Sequence, residues 1–177
     1  MQIGRQTAIF VRRAPGRGKT ARIALAHGVR PAALGRGGIR ALKREGDGGT
    51  PPGRFAVRQG LYRADRMMRP RTSLPLRAIR AWDGWCEDPS DRNYNRLVAL
   101  SPGSPADRLM RDDHLYDLVL VLGYNDWPRV RGKGSAIFIH LARPGYAPTA
   151  GCIALSRHDL LMLLRQVGRR TKIAVLP

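Results

Sequence analysis

The sequence predicts a mainly β protein with a few short helices, one of them near the C-terminus. Short runs rich in β-branched and aromatic residues recur between clusters of Gly, Pro, Asp and Asn, the pattern of strands joined by turns. A single segment, Ser156 to Val167, spaces its apolar residues as a helix does. The 177 residues suffice to bury a substantial core and contain no low-complexity linker, so one domain over 1–177 is expected.

The elements follow in chain order. Thr7 to Arg13 and Ala21 to His27 read as strands joined by the turn Ala14-Pro-Gly-Arg-Gly18. Gly16-Arg-Gly-Lys-Thr20 resembles the end of a phosphate-binding loop. The first glycine of such a loop would fall at Arg13, and the residues that follow read as strand rather than helix, so phosphate binding is not expected. Arg54 to Gln59 and Tyr116 to Gly123 read as further strands, and the apolar run Ser135 to Leu141 as a buried one. Residues 62–112 are rich in Arg, Pro and Asp without a clear period, which predicts a long, irregular but ordered insertion beside the site. Ser156-Arg-His-Asp159 has the form of a capping box. Leu160, Leu161, Leu163, Leu164 and Val167 make one apolar face, and Gly168 ends the helix. Thr171 to Leu176 is the last expected strand.

Composition narrows the partners. The net charge is +19, and arginine supplies 28 of the 32 basic residues, spread along the chain without the aromatic interleaving that stacks bases. Such a field attracts polyanions non-specifically and suits ligands rich in carboxylates, which guanidinium groups grip bidentately. No specific nucleic-acid site is expected. No stretch approaches the ~20 apolar residues of a membrane span, and residues 1–13 lack the basic start, apolar core and cleavage site of a secretory signal. A cytoplasmic location is therefore expected, with the periplasm as the alternative. Four histidines and two cysteines show no zinc-type spacing, so neither metal nor cofactor is expected. Cys86, beside Trp85, reads as a buried packing residue.

Chemistry concentrates in His140-Leu-Ala-Arg-Pro-Gly-Tyr-Ala-Pro-Thr-Ala-Gly-Cys152. A thiol becomes a nucleophile near neutral pH when a base within hydrogen-bond reach favours the thiolate, and this segment sets an imidazole and a thiol on either side of a turn. Spacing alone leaves open a structural histidine and a buried, inert cysteine. The longer block Gly134 to Leu155 resembles the active-site block of the L,D-transpeptidase (YkuD-like) family, whose signature is a His followed by a Ser/Thr-His-Gly-Cys turn. Lys43 to Phe55 resembles the Thr-Pro-x-Gly segment of the same domain, and Asp83 to Arg96 and Asp113 to Asp117 are further matching pieces. The resemblance runs from about residue 5 to the C-terminus.

That resemblance implies a β-sandwich-like catalytic sheet and a cysteine acyl-transfer enzyme acting on the L,D peptide bond of peptidoglycan stem peptides or muropeptides. Cys152 is the implied nucleophile and His140 the general base, and backbone N–H groups of Ala150 and Gly151 form an oxyanion hole. Arg143 is the candidate for gripping a substrate carboxylate, and Thr149 and Tyr146 are candidates for lining the cleft. Two positions depart from the family pattern. Ala150 stands where a His is usual, and Ala154 where a polar residue is usual. The His-to-Cys loop is also short, which suggests a compact branch with a different substrate mouth. Water as acceptor makes an L,D-carboxypeptidase releasing terminal D-alanine in muropeptide recycling, the reading favoured by the expected location. An amine as acceptor makes an L,D-transpeptidase. A basic, non-catalytic binding module is the alternative of another class.

Overall fold

The computed structural model describes residues 8–16 and 20–177. Thr7 and the turn residues Arg17, Gly18 and Lys19, to which part of the first strand and of the phosphate-loop reading was assigned, lie outside the described residues. In chain order the elements are β1 (Ala8–Arg13), β2 (Thr20–Leu25), β3 (Gly28–Ala33), β4 (Gly53–Tyr62), β5 (Leu76–Ala78), β6 (Asp83–Cys86), β7 (Arg96–Ala99), β8 (Asp107–Arg108), β9 (Leu118–Leu122), β10 (Phe138–Leu141), a 3-10 turn at Pro144–Tyr146, β11 (Ile153–Leu155), α1 (Arg157–Gln166) and β12 (Lys172–Leu176).

The main sheet runs β12-β1-β2-β3-β11-β10-β9-β4-β5, and β12 pairs again with β4. That second pairing, from Lys172 opposite Ala56 to Val175 opposite Gly53, joins the two ends of an eight-strand circuit. The mainly β class therefore stands, and the β-sandwich-like expectation is corrected to a closed eight-stranded barrel. Closure removes the sheet edges that a sandwich would leave unpaired. It is possible because β4 is ten residues long, about 33 Å of strand. Its first four residues pair with β12, and from Val57 onward it pairs with β9 across an irregularity between Val57 and Gln59, while Gly60–Tyr62 also pairs with β5.

Alternation sorts the strands' side chains into two cores. Ile9, Val11, Ile23, Leu120, Ile139, Ile153 and Val175 meet inside the barrel. α1 adds Leu160, Leu163 and Leu164 to that core, with Ser156 capping it by accepting from the Asp159 N–H at 3.1 Å. The other faces of β9 and β10 are also covered. Val119, Val121, Phe138 and Cys152 pack outside the barrel with Leu61, Trp85 and Leu109. Burial on both faces explains why Leu118–Leu122 and Phe138–Leu141 read as continuous apolar runs rather than alternating ones.

The second cover comes from the stretch between β4 and β9. There β6 pairs antiparallel with β7 on one side and β8 on the other, forming a three-stranded sheet. Trp85 of β6 meets Phe138 of β10 edge to face, with ring centroids 5.0 Å apart, and its indole N–H donates to Asn95 at 3.0 Å. Among the described residues no helix is long and apolar enough to cross a membrane.

Candidate active site

His140 lies in β10, and Cys152 directly precedes β11, the parallel neighbour of β10. In the β10–β11 register His140 is opposite Ala154, so Cys152, two residues earlier, lies diagonally across from His140 on the outer face of the barrel. Both line one cavity of about 410 Å³. Its walls come from five parts of the chain, the 36–46 loop, Glu87 just past β6, the 107–116 segment, the 135–143 stretch that includes β10, and the turn before β11 with Cys152.

The imidazole is 5 % exposed and its Nδ1–H donates to the Leu141 carbonyl at 2.8 Å. That bond fixes the tautomer and leaves Nε2 with the lone pair. Burial lowers the His140 pKa from 6.5 to about 4. The hydrogen bond to Leu141 opposes the shift, and the positive charges of Arg111 and Arg143 add to it. The ring of Tyr116 stands edge-on to His140, with centroids 5.4 Å apart, and to Phe138 at 6.0 Å.

The Cys152 thiol donates to the Ala136 carbonyl at 3.1 Å and accepts from the Phe138 N–H at 3.4 Å. Its hydrogen bonds thus go to the backbone of the adjoining strand segment and not to the imidazole. Burial pushes its pKa up to about 12. The Phe138 N–H pulls it down, Glu87 and Asp107 push it further up, and Lys43 acts against them. The resting pair is a neutral thiol beside a neutral imidazole.

Local sequence fixes the turn before the thiol. Gly151 has φ +144°, and a Cβ there would lie 3.0 Å from the Gly49 carbonyl oxygen, so both conformation and space call for glycine. The Gly151 carbonyl accepts from the fully buried Thr50 hydroxyl at 2.8 Å, and Thr50 Oγ1 accepts from the Gly35 N–H at 2.9 Å. Thr149 adds a second clamp. Its hydroxyl donates to the Cys152 carbonyl at 2.6 Å and accepts from the Gly151 N–H at 3.1 Å.

The sequence-derived site residues therefore separate. Cys152, His140, Ala150, Gly151, Arg143 and Thr149 all line the cavity, whereas Tyr146 is not among its lining residues. The Gly151 N–H is already engaged by Thr149. Arg143 is exposed, and its nearest acidic partner, Asp113 at 4.0 Å, is held more closely by Arg111 at 2.6 Å. Cys86 is a free, buried cysteine outside the cavity lining.

Sequence reasoning assigned no role to several residues that share this cavity, among them Tyr116, Ser135, Lys43, Glu87, Asp107 and Arg111. Lys43, Glu87, Tyr116 and Ser135 fall inside segments recognised as family-like, but nothing in their spacing marks a function. The Tyr116 hydroxyl donates to Asp107 at 3.1 Å, and Arg111 stacks over its ring at 5.1 Å. Burial and the neighbouring negative charge raise its pKa well above the ordinary phenol value.

Comparison with known proteins adds one positive finding. Searches of curated proteins and of solved structures return no match. The family model described as the YkuD L,D-transpeptidase catalytic domain matches residues 12–175, from β1 to β12 and across the whole cavity. The chain belongs to the YkuD family of L,D-transpeptidase catalytic domains.

Proposed function

We propose that this protein opens the L,D peptide bond of peptidoglycan stem tetrapeptides by acyl transfer to Cys152. The observation that carries the reading is the placement of an Nε2-basic imidazole in β10 and a thiol at the start of its parallel neighbour β11, diagonally across one cavity. Membership of an L,D-transpeptidase family supplies the bond type.

In this reading Cys152 attacks the carbonyl of the L-configured residue while His140 Nε2 takes the thiol proton. With the thiol pushed up to about 12 and the imidazole down to about 4, proton transfer accompanies attack instead of preceding it. The N–H groups of Ala150 and Cys152 receive the oxyanion, and that of Gly151 joins only if Thr149 releases it. His140 then returns the proton to the departing D-alanine. Arg143, loosely held by Asp113, meets the terminal carboxylate.

The thioester then passes to water, giving an L,D-carboxypeptidase, or to an amine, giving an L,D-transpeptidase. Both fates share the first half-reaction. Mass spectrometry of a disaccharide tetrapeptide incubated with wild type and with Cys152→Ala tests that half. Loss of D-alanine with wild type, reduced at least about a thousandfold in Cys152→Ala, is the expected result. Equal turnover by both, or by neither, would overturn the reading, the latter in favour of a basic binding module.

A further inference from the structure

Trp127 leaves 88 % of its surface in solvent, against 53 % for Trp82 and 7 % for Trp85. An indole so placed contributes little to a core, and a large exposed apolar side chain is informative where polar groups converge on it. Trp127 lines a depression of about 290 Å³ together with Arg92, Arg96, Arg129 and Arg131. The lining comes from two stretches, 91–96 at the entry to β7 and 127–131 between β9 and β10. Arginines dispersed along the sequence thus gather beside one exposed indole. No lining residue is shared with the cavity of Cys152. The two are neighbours, because Tyr94 lines the depression and donates its hydroxyl to Glu45 in the wall of that cavity.

The guanidinium groups here lack counter-charge. Among the described residues none of the four forms an ion pair. Two are held by the backbone, Arg129 donating to the Asn95 carbonyl at 3.3 Å and Arg131 to the Ser90 carbonyl at 3.0 Å. Burial, then the charge of Arg96, lowers the Arg129 pKa. Asp126 opposes that shift, but its carboxylate is taken by Arg58 at 2.7 Å. Asp91 is the one carboxylate in the lining. Its Oδ1 accepts the Asn93 N–H at 2.7 Å, and its other oxygen has no partner among the described residues.

Positioned guanidinium groups without counter-charge suit a carboxylate, and an open indole face suits a flat apolar surface. The Asp91 oxygen can only accept, so it suits a hydroxyl and opposes the continuous negative charge of a nucleic-acid strand. A sugar ring that carries a carboxylate supplies all three groups. We propose that the depression at Trp127 is a second binding site, for a sugar acid whose ring lies on the indole, whose carboxylate meets the arginines and whose hydroxyl meets Asp91. The site stands apart from the Cys152 cavity, and its failure leaves the acyl-transfer reading untouched.

N-acetylmuramic acid is the probe. N-acetylglucosamine, the same ring without the lactyl carboxylate, and lactate, the carboxylate without the ring, are the controls. Each is titrated into isotope-labelled protein while the backbone amide shifts of 91–96 and 129–131 are followed. The expected result is saturable binding at those amides, with a Kd about tenfold below that of either control, the worth of one charge-assisted hydrogen bond. Trp127→Ala and Arg129→Gln each weaken it about tenfold, and Arg143→Gln, at the other cavity, leaves it unchanged. The spectrum of each variant reports its fold, and if Arg129→Gln disturbs the loop, the exposed Arg92→Gln and Arg96→Gln take its place. Equal affinity for the three compounds, shifts confined to the Cys152 cavity, or no saturation overturns the site. Thymidine monophosphate binding the same amides more tightly than N-acetylmuramic acid overturns the sugar acid in favour of a nucleotide.

Discussion

Thr50 and Gly151 hold the nucleophile's turn through one buried contact, and each is replaceable in only one direction. Thr50→Val keeps the shape but strands the Gly151 carbonyl and the Gly35 N–H. Two buried groups without partners cost about 2 kcal/mol or more, measured as loss of stability in denaturant unfolding, and Thr50→Ser restores most of it. Gly151→Ala meets both the φ of +144° and the Gly49 carbonyl, so turnover falls with it. Cys152, with its thiol pushed up to about 12, is expected to react with iodoacetamide about two to three orders of magnitude more slowly at pH 7.5 than an exposed cysteine. Timed alkylation read by peptide mass checks this, and reaction as fast as a free thiol would contradict it. Cys152 and His140 were legible in sequence because one turn joins them. Glu87 was not, since it reaches the cavity from a part of the chain far from both, and Ser135, though in the run that leads to His140, read only as part of a buried strand.

At the scale of elements, local pattern found what is locally determined. The strands at Ala8–Arg13, Thr20–Leu25, Gly53–Tyr62 and Leu118–Leu122 fall where β-branched runs predicted strands, as does the helix behind Ser156. β3 carries Pro31 and Arg30 amid small residues and shows no apolar alternation, and β5 to β8 are two to four residues long, too short to display a period. The barrel was misjudged as a sandwich because its closure depends on β12 meeting β4, a pairing between segments more than a hundred residues apart that no local pattern encodes. Closure makes its own prediction. The amides of 54–56 and 172–175 that pair in this seam exchange hydrogen only on global unfolding, as slowly as those of β9. Exchange there orders of magnitude faster would mark an open edge.

Over the whole molecule, charge and burial act together. The excess of arginine was visible at once, but that both glutamates converge on one cavity emerges only from the fold. His140 ties the site to stability. Its pKa falls from 6.5 to about 4 on folding, so between those values the unfolded chain binds a proton that the folded one refuses. Stability therefore drops as pH falls through that window, by on the order of 3 kcal/mol for this group, and the effect is constant below it. Denaturant unfolding across pH 4 to 7 should show this slope in wild type in excess of His140→Gln. The central claim, that Cys152 carries the acyl group, is tested most directly by intact-protein mass spectrometry after rapid acid quench of wild type mixed with disaccharide tetrapeptide. The account predicts a mass increase equal to the substrate less D-alanine, mapped to Cys152 and absent from Cys152→Ala. D-alanine release without that adduct, or an adduct on another residue, would contradict it.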